Sequence, residues 1–167
     1  MRSDYWDRPA FETIRPRRMT APLVFNSAHS GRDYAERFLR MTRLDQLSIR
    51  QSEDAYVDEL FGRAPHLGAP LLRAHFPRAY LDVNREPWEL DPQMFVEPLS
   101  ERFNTASPRV AAGLGTIARV VAENKPIYRE RLTLEDARMR IEGIYIPYHA
   151  TLQRLLTDAV GSFGAAL

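Results

Sequence analysis

Short apolar runs alternate with helix-patterned stretches along this chain, and that alternation restricts it to an α/β architecture. Residues 22–28, Pro-Leu-Val-Phe-Asn-Ser-Ala, form an apolar run that breaks into small polar residues, the pattern of a buried strand running into a loop. Residues 70–76 read as a second strand, 80–84 as a third extended piece, and 116–122, rich in β-branched residues, as another. Between them, Val57, Leu60, Phe61 and Ala64 recur at helical spacing, which predicts a helix over 52–64 with Glu53 and Asp54 in its first turn. A mostly parallel, mixed sheet covered by helices on both faces is the expected fold.

The last long element begins at Thr133, where Thr133 and Asp136 resemble a capping box, although Glu or Gln is the usual partner. Leu134, Ala137, Ile141, Ile144 or Tyr145, Tyr148, Leu152, Leu155 and Ala159 then follow one helical stripe. Pro147 has no N–H for the carbonyl of Gly143, so a kink or two abutting helices is expected there. Gly161 and Gly164 close the element, and residues 165–167 read as the start of another strand. Residues 1–20 read as an arm packed on the surface through Trp6 and Phe11, with 21–167 forming part of one domain. Residues 86–108 carry Pro87, Pro92, Pro98 and Pro108 without periodicity and read as a long excursion.

Composition sets the chemistry. The chain has no cysteine, so any metal must sit on His, Asp or Glu. A formal net charge of +1 gives no global field for nucleic acid. No run approaches the roughly 20 apolar residues of a membrane span, and none of the first twenty residues suggests a signal peptide. A soluble cytoplasmic protein is the expectation.

Three places can carry chemistry. His29, followed by Ser30 and Gly31, sits at the carboxyl end of the first strand, where open α/β sheets place their ligands. A lone histidine in a loop is more often a local hydrogen-bonding residue. Asp54 lies near the apolar stripe of the 52–64 segment, where a carboxylate must be paired, capped or metal-bound. In Leu81-Asp-Val-Asn-Arg85 the alternation of an extended chain puts Asp82 and Asn84 on one side. Arg85 can offer a planar fork to a carboxylate, or make a structural pair with an Asp. His149 falls off the main stripe and suits a surface or supporting role, and His66 and His75 read as structural.

Together these segments resemble the N-formylglutamate amidohydrolase family. The resemblance rests on Phe25-Asn-Ser-Ala-His-Ser-Gly31, Ser52-Glu-Asp54 leading to Leu60-Phe61, Leu81 through Pro87, and Ile146-Pro-Tyr-His149 with Leu152, in family order over roughly residues 20–167. It implies a fold similar to zinc carboxypeptidases and aspartoacylases, and hydrolysis of the formamide bond of N-formyl-glutamate or a similar small N-acyl amino acid. That reaction typically ends histidine degradation. It implies Zn2+ as cofactor, with His29 and Asp54 as ligands, Asn84 and Arg85 at the substrate carboxylate, and Ser30 and His149 as further substrate-binding candidates. The family's third ligand is a histidine in a later motif, so the resemblance implies an incomplete site in these 167 residues, with weak zinc binding and negligible turnover. The competing readings are a non-catalytic domain that holds a carboxylate or other anion at a helix start near Gly31, and a partner-binding domain that uses residues 86–108. A serine hydrolase built on Ser30 lacks the surrounding nucleophile-elbow pattern.

Overall fold

The computed structural model describes residues 8–167. At its centre is β3 (Leu71–Ala74), which pairs on both sides. On one side β2 (Phe25–Ser27) runs parallel to it, with Phe25 opposite Leu71 and Ser27 opposite Arg73. On the other side β1 (Phe11–Ile14) runs antiparallel, with Phe11 opposite Ala74. The sheet is therefore mixed, with one parallel and one antiparallel pairing, and not mostly parallel as the alternation of elements suggested. Leu71, Leu72 and Ala74 are all buried, which fits a central strand covered on both faces. A separate hairpin joins β4 (Val120–Val121) to β5 (Lys125–Pro126).

Several sequence expectations change here. Residues 11–14 of the expected arm form a strand, because Phe11 packs edge-on against Tyr148 while the backbone fills the open side of β3. The proposed anchor Trp6 lies outside the described residues. Residues 80–84 form turns instead of a strand, and 116–122 contribute only Val120–Val121. The first short helices are α1 (Glu36–Met41), α2 (Gln46–Ile49) and α3 (Val57–Leu60). Asp54 thus precedes α3 instead of sitting in its first turn, separated from it by Tyr56 in the left-handed region at φ 64°. Residues 86–108 make the expected excursion up to α4 (Pro108–Ala111), and it is well anchored, with Leu90, Met94 and Phe95 in the core.

The final helical rod matches its sequence pattern closely. Thr133 and Asp136 exchange both bonds of a capping box at the start of α5 (Leu134–Arg140). The rod then widens into a π turn at Ile141–Tyr145 and continues as α6 (Ile146–Phe163). Pro147 falls in the first turn of α6, so the wide turn absorbs its missing N–H in place of a sharp break. Gly161 lies inside α6. Gly164 ends it at φ 76°, donating to the Val160 carbonyl at 2.7 Å. Leu167 donates to Pro22 O and accepts from Val24 N, both at 2.8 Å, which is the bonding pattern of a parallel ladder. Tyr148 and Leu155 turn into a core shared with Phe38, Leu72, Phe76 and Ile127, and Ala159 is buried on the same helix. No helix among the described residues is long and apolar enough to cross a membrane.

Candidate active site

His29 stands two residues beyond β2, at the carboxyl end of the parallel β2–β3 pair, as the sequence predicts. Two cross-loop bonds hold this turn against the segment before α3. The Asp54 N–H donates to the His29 carbonyl at 3.1 Å, and the Asp58 N–H donates to Ser30 Oγ at 3.3 Å. Ser30 Oγ also shares a 2.8 Å hydrogen bond with Ser27 Oγ and is buried, so it braces the loop. At the start of α3 it acts as a cap supplied from another part of the chain, since Tyr56 offers no side-chain cap. Asp58 Oδ2 faces Arg73 at 3.7 Å and Arg32 at 3.9 Å, while its Oδ1 is buried without a hydrogen-bond partner.

Both nitrogens of the His29 ring face carboxylates. Nε2 lies 2.8 Å from Asp82 Oδ1, and Nδ1 lies 3.4 Å from Asp54 Oδ2. His29 and Asp82 are buried, whereas the Asp54 side chain is 53% exposed, so the Nδ1 edge is the one open to a ligand. Asp82 is the hub. Its Oδ2 accepts from Arg78 Nε at 3.0 Å and faces Arg85 Nε at 3.7 Å, and its Oδ1 accepts the Asn84 N–H at 2.9 Å. Burial alone raises the pKa of this carboxyl, but His29, Arg78 and the Asn84 N–H together hold it below the usual carboxylate range. In the neutral ring, an ionised Asp82 favours the tautomer with its proton on Nε2, which leaves the Nδ1 lone pair toward Asp54.

The chemistry open to the Nδ1 edge follows from this geometry. Two donors on one tetrahedral metal ion with bonds of about 2.1 Å stand roughly 3.4 Å apart, the separation of His29 Nδ1 and Asp54 Oδ2. Among the described residues no group of three or more His, Asp or Glu side chains is gathered to hold a metal.

The remaining candidates divide. Arg85 is folded inward, with Nε donating to Leu114 O at 3.1 Å and Nη1 to Asn84 O at 2.8 Å, while Asn84 itself is exposed. His149 directs Nε2 to the Val83 carbonyl at 2.7 Å and stacks on Tyr145 with ring centroids 4.3 Å apart. Tyr145 Oη donates to the Arg85 carbonyl at 2.6 Å, and burial with the charges of Asp82 and Glu86 raises its phenol pKa, so it stays a donor. His75 is structural, between Pro9 O at 2.8 Å and Glu12 Oε1 at 3.1 Å. No helix starts beside Gly31: the chain stays irregular until α1, which removes the helix-start anion pocket of the competing reading.

Sequence reasoning missed two members of the site. Arg78 is one; its signal was the four-residue spacing to Asp82, which was read as part of a strand. The orienting role of Asp82 is the other, and it depends on a contact 53 residues away. Beside this pair opens a cavity of about 410 Å3, walled by Ala79, Leu114, Ala118 and Val120, with Gln51 and Ser52 at a polar end. Ser52 Oγ is buried there without a partner. A larger groove of about 1070 Å3 between β1 and α6 shares no lining residue with the His29 cluster.

A histidine flanked by carboxylates at the carboxyl edge of a small mixed sheet defines an α/β protein whose open ring nitrogen faces a metal-competent acid. A family model for N-formylglutamate amidohydrolase matches residues 21–167. The N-formylglutamate deformylase of Pseudomonas putida is 26% identical over 148 residues, covering 87% of this chain and 49% of that protein. That of Pseudomonas aeruginosa is also 26% identical, over 164 residues, covering 93% and 53%. The crystal structure of N-formylglutamate amidohydrolase from Ralstonia eutropha JMP134 superposes with a TM-score of 0.84 at 34% identity, over 94% of this chain and 55% of that one. This chain belongs to the N-formylglutamate amidohydrolase family. It spans about half the length of the curated relatives it matches.

Proposed function

We propose that this chain provides the His29–Asp54 half of a zinc hydrolase that cleaves the formamide bond of N-formyl-glutamate or a similar N-acyl amino acid. Water adds across the C–N bond: hydroxyl goes to the formyl carbon, a proton goes to the departing amine, and formate and the amino acid result. The observation that carries this reading is the bridged ring of His29. Asp82 occupies Nε2 and leaves Nδ1 aimed at Asp54 across a 3.4 Å gap.

His29 and Asp54 would hold the metal, with further donors from water, substrate or chain outside residues 8–167. When bound, zinc supplies a water whose pKa falls toward ~7. The protein's own groups do the rest. Asp82 keeps the neutral imidazole in one tautomer and fixes its orientation as a ligand. Arg78 keeps Asp82 ionised. Asn84 presents amide donors at the exposed end of the turn, and Arg85 adds positive charge there, so a substrate carboxylate is oriented by binding energy. The 410 Å3 cavity beside Arg78 can take the amino-acid side chain and exclude bulk water.

The names of the relatives support formyl-glutamate as substrate. The test is formate release and zinc content of the natural protein, with and without His29→Ala. Loss of both is expected. A His29→Ala protein that keeps its zinc and its rate would sink the assignment.

A further inference from the structure

The segment that carries Asp82, Asn84 and Arg85 has no β ladder, although its residues read as a strand. Three of its carbonyls are instead taken by side chains from a single helical rod. Arg140 Nη1 donates to Tyr80 O at 2.9 Å, His149 Nε2 bonds Val83 O at 2.7 Å, and Tyr145 Oη donates to Arg85 O at 2.6 Å. The π turn makes this possible. Five residues on, an α-helix places side chains about 140° apart around its axis. One π turn, with its i→i+5 bonding and roughly 4.4 residues per turn, brings them to about 50°. Arg140 and Tyr145 therefore face the same stretch of chain, and His149 follows one α turn later, stacked on Tyr145.

The two bonds nearest the site bracket its functional residues. Val83 is the neighbour of Asp82, which holds His29, and Arg85 carries the charge offered to a substrate carboxylate. His149 and Tyr145 thus restrain the backbone between these two carbonyls from both ends. We propose that Tyr145 and His149 are positioning residues that, through the π turn, set the Asp82–Arg85 turn and thereby the tautomer of His29 and the reach of Arg85. The proposal rests on the hydrolase reading for its kinetic consequences, but not for its effect on His29.

The test uses the natural protein in three variants. Tyr145→Phe removes one hydroxyl and keeps the ring, so it preserves the fold. His149→Leu removes the donor, and His149→Gln replaces it with an amide N–H. In metal-free wild-type protein, at a pH high enough for the ring to be neutral, side-chain 15N spectra should show the His29 proton on Nε2, facing Asp82 Oδ1 at 2.8 Å. His149→Leu should mix the two tautomers, and His149→Gln should restore the single form. For formyl-glutamate hydrolysis, Tyr145→Phe should raise KM about fivefold with kcat within about twofold, and His149→Leu should lower kcat about tenfold, effects of the size expected for one displaced hydrogen-bonding group. Variants that melt earlier yet leave the His29 spectrum unchanged overturn the proposal. If wild-type protein releases no formate, the function fails, and the His29 spectrum still decides the positioning role.

Discussion

Leu71–Ala74 and the stretch from Tyr80 to Arg85 look alike in sequence, and the protein builds them by opposite means. The first is a strand whose peptide groups pair with β1 on one side and β2 on the other. The second has no ladder and is held mostly by side chains, Arg140, His149 and Tyr145 at its carbonyls and Asp82 at the Asn84 N–H, with a main-chain bond from the Asp82 N–H to Thr116 O at 2.8 Å. A main-chain ladder tolerates many side-chain changes, because its bonds do not depend on residue type. A segment held by side chains is sensitive to each of them. The ladder here carries the fold, and the side-chain-held turn carries the residues of the proposed chemistry.

Replacing Asp82 should break that contrast most strongly. Asp82→Asn keeps the shape but leaves Arg78, Arg85 and His29 facing a neutral amide, a loss of about 3 kcal/mol by analogy with broken buried ion pairs. Denaturant unfolding measures the loss. Hydrogen exchange should then quicken over 80–85 while the amides of 71–74 stay protected. Equal loosening of both segments would show that the two are not independent.

A pH series on the wild-type protein sharpens the same point. The Asp82 carboxyl titrates below its ordinary value of 3.8 when folded. The unfolded chain therefore takes up its proton first as pH falls. The stabilisation is complete above about pH 5 and fades as pH drops through the folded pKa. Melting temperature should decline below pH 4 in wild type and decline less steeply in Asp82→Asn. The smallest effect belongs to the rod that supports the turn: Thr133→Ala should cost about 1 kcal/mol by removing one half of the capping box at α5.

Much of the local structure was legible in the residues themselves. The capping box at Thr133, the interruption near Pro147 and the stop at Gly164 are properties of neighbouring residues in a helix, and all three occur. So does the placement of His29 after a strand, since a small-residue break follows an apolar run. What stayed hidden depends on distant partners. Residues 80–84 have strand composition, but β3 already has a neighbour on each side, so no ladder is available to them. Residues 11–14 looked like surface chain because the edge they fill is made by residues 57 to 63 positions away in the sequence. Asp54 falls outside the helix its spacing suggested because Tyr56 adopts a left-handed turn, held by Arg32 over its ring at 5.1 Å.

Gly31 has no side chain to contribute, yet the continuation of β3 passes close against it in the His29 loop. A methyl group there would fall 2.0 Å from the Phe76 carbonyl oxygen and 2.7 Å from the His75 carbonyl, both fixed backbone. In genetic terms the codon is a dead end. Every missense change at that position forces the loop off the sheet and carries His29 with it. The site is thus exposed to inactivation through a residue that performs no chemistry, and a mutational scan of this chain would score Gly31 beside the histidine it neighbours.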